Sequence, residues 1–239
     1  MATYLITGAS SGIGEELSRQ SVAAGHTVYG AARRAEVLER LAANLGASFV
    51  PVVVDVTDRE AVRRACASLP AVPDVVILNA GVGENETRKA FDIAIHERTF
   101  AVNYFGALNF VDALMPAFMA RGSGKFVAIS SLAAYRGLPK GGAYGASKAA
   151  ITTAFESCRN TYRETGVRFV TVHPGFVDTP MQKGVKMPLM WPVRKAAARI
   201  LRGIRCGCSD ITFPLAVRVI LAAGRLMPNW LFDRTIARA

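Results

Sequence analysis

Acidic residues are in short supply in this 239-residue chain: 18 Asp and Glu face 29 Lys and Arg, a formal charge of +11. Cysteine is scarce too. Four are too few for a disulfide framework. Cys206 and Cys208 form a C-x-C pair, but no second ligand cluster accompanies them, so they read as reduced structural thiols rather than a metal site. No run of 18 uncharged apolar residues occurs, which argues against a spanning helix. No internal repeat or low-complexity tract appears. The first strand-like run starts at Thr3, so no signal or transit peptide is expected, and the expected location is cytoplasmic.

What is present is apolar. Hydrophobic residues make up 51% of the chain, enough for a substantial core. The basic excess is uneven. From Lys183 onward there are 11 Lys/Arg and 2 Asp/Glu, a net +9, which leaves only +2 for the first 182 residues. Whatever that charge does belongs mostly to the last quarter.

Short β-rich runs alternate with helical patterns. Strands are expected at 3–7, 27–31, 49–56, 74–79, 125–130, 168–173 and 210–213. Helical segments are expected at 13–24, 35–45, 58–68, 96–120, 144–165 and 193–205. Strands that are apolar throughout argue burial on both faces. The alternation predicts an α/β fold: a doubly wound Rossmann sheet of about seven parallel strands, in one domain. That domain is expected at 1–213, with a basic amphipathic tail at 214–239.

Ligands of such sheets bind at the carboxyl ends of the strands. After the first strand comes TGASSGIG, with Gly8, Ser10, Ser11, Gly12, Ile13 and Gly14. The glycines permit a tight turn and close approach to a pyrophosphate, and the following helix N-terminus favours an anion. The spacing T-G-x-x-x-G-x-G resembles the short-chain dehydrogenase/reductase family. Asn79-Ala80-Gly81 after strand 4, NYFG from Asn103, ISS ending at Ser131, YGASK from Tyr144 and HPGFVDTPM from His173 follow in the same order. The resemblance covers essentially residues 3–213.

That resemblance implies roles. Tyr144 is the implied general acid or base, its pKa lowered by the Lys148 ammonium and the positive nicotinamide together, and Lys148 also holds the nicotinamide ribose. The spacing to tyrosine selects Ser131, rather than the adjacent Ser130, as hydrogen-bond donor to the reacting oxygen. Asn103 resembles the residue that helps position a proton-relay water. Asn79, Ala80 and Gly81 resemble cofactor contacts, Asp55 and Val56 the adenine contacts, and Pro174, Gly175, Val177 and Thr179 those beneath the nicotinamide.

Where NAD-preferring Rossmann proteins carry an acid, this chain has Ala32 followed by Arg33 and Arg34. The expected cofactor is therefore NADP(H), with Arg33 as the main 2′-phosphate contact and Arg34 as second choice. His26, His96 and His173 have no partner visible in the sequence and read as structural or surface residues. The loop of about 181–194 is expected to take substrate. Met181, Met187, Leu189, Met190 and Trp191, with Leu132 and Tyr135, suggest an apolar carbonyl or alcohol.

In the tail, Arg218 and Arg225 fall on one helical face, with Val217, Ile220, Leu221 and Leu226 largely elsewhere, and Trp230 and Phe232 follow Pro228. The pattern suits a membrane-interface helix, a subunit contact in a homo-oligomer, or docking on its own domain. Nucleic acid is not expected as a partner. The leading reading is an NADP(H)-dependent carbonyl reductase or alcohol dehydrogenase. The alternative is a cofactor-binding regulatory or scaffold protein without turnover.

Overall fold

The computed structural model describes all residues except 85, 87–90, 183, 185–188, 218, 220–225 and 237–239. Seven strands form one parallel sheet: β1 (Thr3–Thr7), β2 (Thr27–Ala32), β3 (Phe49–Val53), β4 (Val75–Leu78), β5 (Gly124–Ile129), β6 (Val167–Pro174) and β9 (Asp210–Phe213). Their spatial order is β3-β2-β1-β4-β5-β6-β9. A two-residue ribbon, β7 (Val177–Asp178) with β8 (Trp191–Pro192), closes the base of the loop between them.

Side-chain parity builds a core on each face of the sheet. Tyr4, Ile6, Val75, Ile77, Val127 and Ile129 face one side. There they meet Leu17 of helix α1 (Gly12–Ala23), Leu38 of α2 (Ala35–Leu45) and Ile200 of α7 (Val193–Arg205). Leu5, Val76, Leu78, Phe126 and Phe169 face the other. Their partners are Val62 of α3 (Arg59–Ala67), Phe110 and Phe118 of α5 (Gly106–Arg121) and Phe155 of α6 (Gly142–Thr161). Phe126 lies 4.7 Å from Phe118 and 5.4 Å from Phe169, ring centre to ring centre. A phenylalanine so enclosed contributes about 3–5 kcal/mol against alanine.

Two elements differ from the sequence pattern. The run 49–56 ends as a strand at Val53, because its ladder partner β2 ends at Ala32, whose carbonyl accepts a last bond from the Val54 N–H at 3.0 Å. Val54, Asp55 and Val56 then line the cleft at the strand's end. The expected helix 96–120 is α4 (Ile93–Phe100) and α5 joined by a π turn, Ala101–Phe105, in which the Gly106 N–H reaches back to the Ala101 carbonyl. Such turns inside helices are frequent at functional sites. This one contains Asn103.

Candidate active site

The strand order reverses direction between β1 and β4, and a cleft of about 330 Å³ opens across the carboxyl ends there. Thr7 ties the two strand ends together. Its Oγ1 accepts from the backbone N–H of Asn79 and Ala80, while Asn79 Nδ2 donates to the Thr7 carbonyl at 3.0 Å. The turn between β1 and α1 needs its glycines. Gly8 has φ +68°, and a Cβ on Gly14 would stand 2.3 Å from the Gly8 oxygen. Gly14 therefore sets the approach of helix to turn and does not itself line the cleft. The first residues of α1 do. Ser11, at its N-cap, makes no side-chain capping bond, whereas Asp58 and Asp92 cap α3 and α4. An uncapped helix start facing a cleft offers N–H donors and a positive dipole end to an anion.

One end of the cleft is basic. Arg34 donates to the Ser10 hydroxyl at 2.8 Å and to its carbonyl at 3.1 Å, so it is fixed on the turn. Arg33 lies 3.8 Å from Asp55, with both side chains well exposed. An ion pair so open to water holds Arg33 weakly. Asp55 also accepts from the Thr57 N–H and hydroxyl. Gly8, Ser10, Ser11, Gly12, Ile13, Val56, Asn79, Ala80 and Gly81 continue the lining, and Pro174, Gly175, Val177 and Thr179 close it beyond.

Ser131, Tyr144 and Lys148 meet at the other end. Tyr144 and Lys148 share a face of α6 at i and i+4, and Lys148 Nζ lies 5.6 Å from the centre of the tyrosine ring. Lys148 is 4% exposed and donates to the Ile129 carbonyl at 2.8 Å. Burial pushes its ammonium down to about 8. Burial also raises the Tyr144 phenol above its usual value, against the opposing pull of a hydrogen bond from Ser131. Desolvation therefore opposes the lowering expected of the Lys148 ammonium and a bound nicotinamide. Ser130 points the other way. Its buried hydroxyl donates to the Lys148 carbonyl and pairs with Thr152 at 2.8 Å.

The pattern of the short chain dehydrogenase family matches residues 2–188. An uncharacterized oxidoreductase of Myxococcus xanthus is 34% identical over 99% of this chain and 96% of its own length. The chain belongs to the short-chain dehydrogenase family. A serine 3-dehydrogenase of Agrobacterium fabrum is 36% identical over 74% of this chain and 72% of its own. A short-chain dehydrogenase from Burkholderia cenocepacia, solved in complex with NADP, superposes with a TM-score of 0.86 at 29% identity, covering 98% and 97% of the two chains.

Asn103 behaves differently from the other site residues of this short-chain dehydrogenase. It does not line the cleft. Its Oδ1 accepts from the Val82 N–H at 2.8 Å, and its Nδ2 donates to the Val82 carbonyl and to Ser147 Oγ. The amide thus braces the loop after β4 against α6, with both ends satisfied. The expected substrate lining is also redistributed. Met181 reaches the cleft, as does Gln182, which carried no signal in the sequence. Met187 lies outside the described residues. Trp191 stacks on Phe213 at 5.0 Å, with Lys195 Nζ 4.2 Å from its ring centre, and so packs on the domain.

Of the tail pattern, Arg218, Ile220, Leu221 and Arg225 lie outside the described residues. Leu215, Val219, Leu226 and Trp230 are exposed. Phe232, in the helix Asn229–Ile236, is buried under Arg136 at 4.3 Å, and Arg136 donates to Asn229 Oδ1 at 2.8 Å. Among the described residues no helix is long and apolar enough to cross a membrane, and no three metal-ligating side chains converge.

Proposed function

We propose that this oxidoreductase transfers a hydride between NADP(H) and the carbonyl or secondary alcohol carbon of an apolar, lipid-like small molecule. The observation that carries the reading is the convergence of Ser131, Tyr144 and Lys148 at one end of a cleft whose other end holds Arg33 and Arg34. The residues present fit the cofactor. An uncapped helix start and a glycine turn suit its pyrophosphate, and guanidiniums with no acid at Ala32 suit a 2′-phosphate. NADP bound to the Burkholderia structure supports the same choice.

When bound, NADP(H) supplies or accepts the hydride. The chain's own side chains handle the proton and the charge. Tyr144 gives its phenolic proton to the carbonyl oxygen during reduction and takes one back in the reverse direction. Ser131 donates a hydrogen bond to the same oxygen as charge develops on it. Lys148, held by the Ile129 carbonyl, binds ribose hydroxyls and presents its ammonium near the phenol. Asn103 is a positioning residue, through its brace between Val82 and Ser147.

Met181 at the cleft and the apolar loop around it support an apolar substrate. The exposed Leu215, Val219, Leu226 and Trp230, in a segment rich in arginine, support peripheral contact with an anionic membrane. A panel of long-chain ketones, retinoids, steroids and 3-keto lipids, assayed with NADPH and NADH, tests the reading. At least one should consume NADPH faster than NADH. Consumption with none rejects it.

A further inference from the structure

His173 is a buried titratable side chain that hydride transfer does not use. It lies near the end of β6, one residue before Pro174, and is 2% exposed. Its ring is held on three sides. Nε2 lies 3.3 Å from Asp210 Oδ2. The register of β6 with β9 pairs Thr171 with Asp210 and His173 with Thr212, so all four side chains share one face. Thr212 donates to the other Asp210 oxygen at 2.7 Å. Tyr135 meets the ring edge-on at 5.5 Å. Nδ1 faces the Ser131 carbonyl at 3.4 Å.

Ser131 is therefore shared between two neighbourhoods. Its hydroxyl serves the cleft, where it accepts from the Ala133 N–H and bonds the Tyr144 phenol. Its carbonyl accepts from the Ala134 N–H at 3.1 Å and faces the imidazole. Both partners of the ring, the Ser131 carbonyl and the Asp210 carboxylate, are acceptors. The neutral ring has one N–H and can serve only one of them; the ring with a proton on each nitrogen donates to both. A carboxylate facing Nε2 fixes the ring's orientation.

We propose that His173 is a positioning residue for the reaction: oriented by Asp210 and carrying a proton on each ring nitrogen, it holds the Ser131 carbonyl and so sets where the Ser131 hydroxyl points. The inference rests on the reading of Ser131 as donor to the reacting oxygen. It would make the outer strand β9 part of the support of the active site, although nothing on that strand touches the cleft.

Two isosteric variants separate this role from packing. Asparagine carries a donor near the Nδ1 position, glutamine near the Nε2 position. His173→Gln is expected to lower kcat by about 10-fold or more, with KM and the NADPH Kd little changed, because a displaced group costs turnover rather than binding. His173→Asn should retain most of kcat. A second readout needs no turnover: the ¹³Cζ titration of Tyr144, assigned by its loss in Tyr144→Phe. Since Ser131 lowers the phenol's pKa, that titration should move to higher pH in His173→Gln and stay in place in His173→Asn.

A role confined to Asp210 predicts the reverse, with Gln like wild type and Asn impaired, and that result overturns the proposal. So does loss of thermal stability in both variants with wild-type kcat and titration. If a His173 variant does not fold, Asp210→Asn, at the 40% exposed end of the pair, replaces it. It should shift kcat and the titration in the same directions, and no change in either overturns the proposal. If the wild-type protein reduces no carbonyl with NADPH, the hydride-transfer reading fails, and the Tyr144 titration alone decides the role of His173.

Discussion

Lys148 is an expensive residue to bury. With 4% exposure and one carbonyl partner named, its ammonium sits at about 8 instead of 10.5. Below pH 8 the folded and unfolded lysines are both charged, and the burial penalty is complete. Between about 8 and 10.5 the folded lysine is neutral while the unfolded one is charged, so stability recovers as pH rises. Lys148→Met should therefore stabilise the cofactor-free protein by about 2 kcal/mol at pH 7, the lost bond to Ile129 holding the gain down. Denaturant melts at pH 7 and pH 10 check this: the gain should shrink at the higher pH, and activity should be lost at both. At the basic end, Arg33→Asp should weaken NADPH about 10- to 100-fold while sparing NADH, the scale of a lost charge-assisted bond. Fluorescence titration of both cofactors reads it, and an unchanged preference removes Arg33 from the assignment. The sequence made Arg33 and Lys148 legible as candidates. It could not show Lys148 buried on the Ile129 carbonyl or Arg34 tied to Ser10, because those contacts join residues 19 and 24 positions apart.

Turn and helix must fit each other where β1 becomes α1. A methyl at Gly14 would overlap the Gly8 oxygen and stand 2.5 Å from Asn79 Nδ2. Gly14→Ala should push α1 off the turn, weakening NADPH binding at least about 10-fold with a stability loss of roughly 1–3 kcal/mol, the scale of overpacking. Binding at full strength would show that the turn can yield. Strand positions were readable because each run is apolar on both faces. Their ends were not, because pairing stops where the neighbour stops, as at Val53 beside Ala32. The π turn carries no periodic signal, since one extra residue per turn changes no residue type. The same blindness hid Asn103's brace: the amide is in the sequence, but Val82 and Ser147 come to it only through the packing of α6 on that turn.

For the whole molecule, the alternation of strands and helices specified the parallel sheet, and the order β3-β2-β1-β4-β5-β6-β9 puts the cleft where strand order reverses. The tail was less legible. Its apolar and basic pattern fits several partners equally, and only folding reveals that Phe232 is buried beneath Arg136 while Trp230 stays 69% exposed. The 239-residue chain should co-sediment with vesicles containing phosphatidylserine at low salt, and much less after Trp230→Ser with Leu226→Ser. No binding at low salt removes the membrane reading. Whether one cleft binds the cofactor while Tyr144 moves the proton is decided by Tyr144→Phe, with NADPH affinity and ketone turnover measured on the same preparation. Affinity should stay close to wild type while turnover falls by about 10²- to 10⁴-fold. Turnover unchanged beside intact NADPH binding would contradict that role of Tyr144.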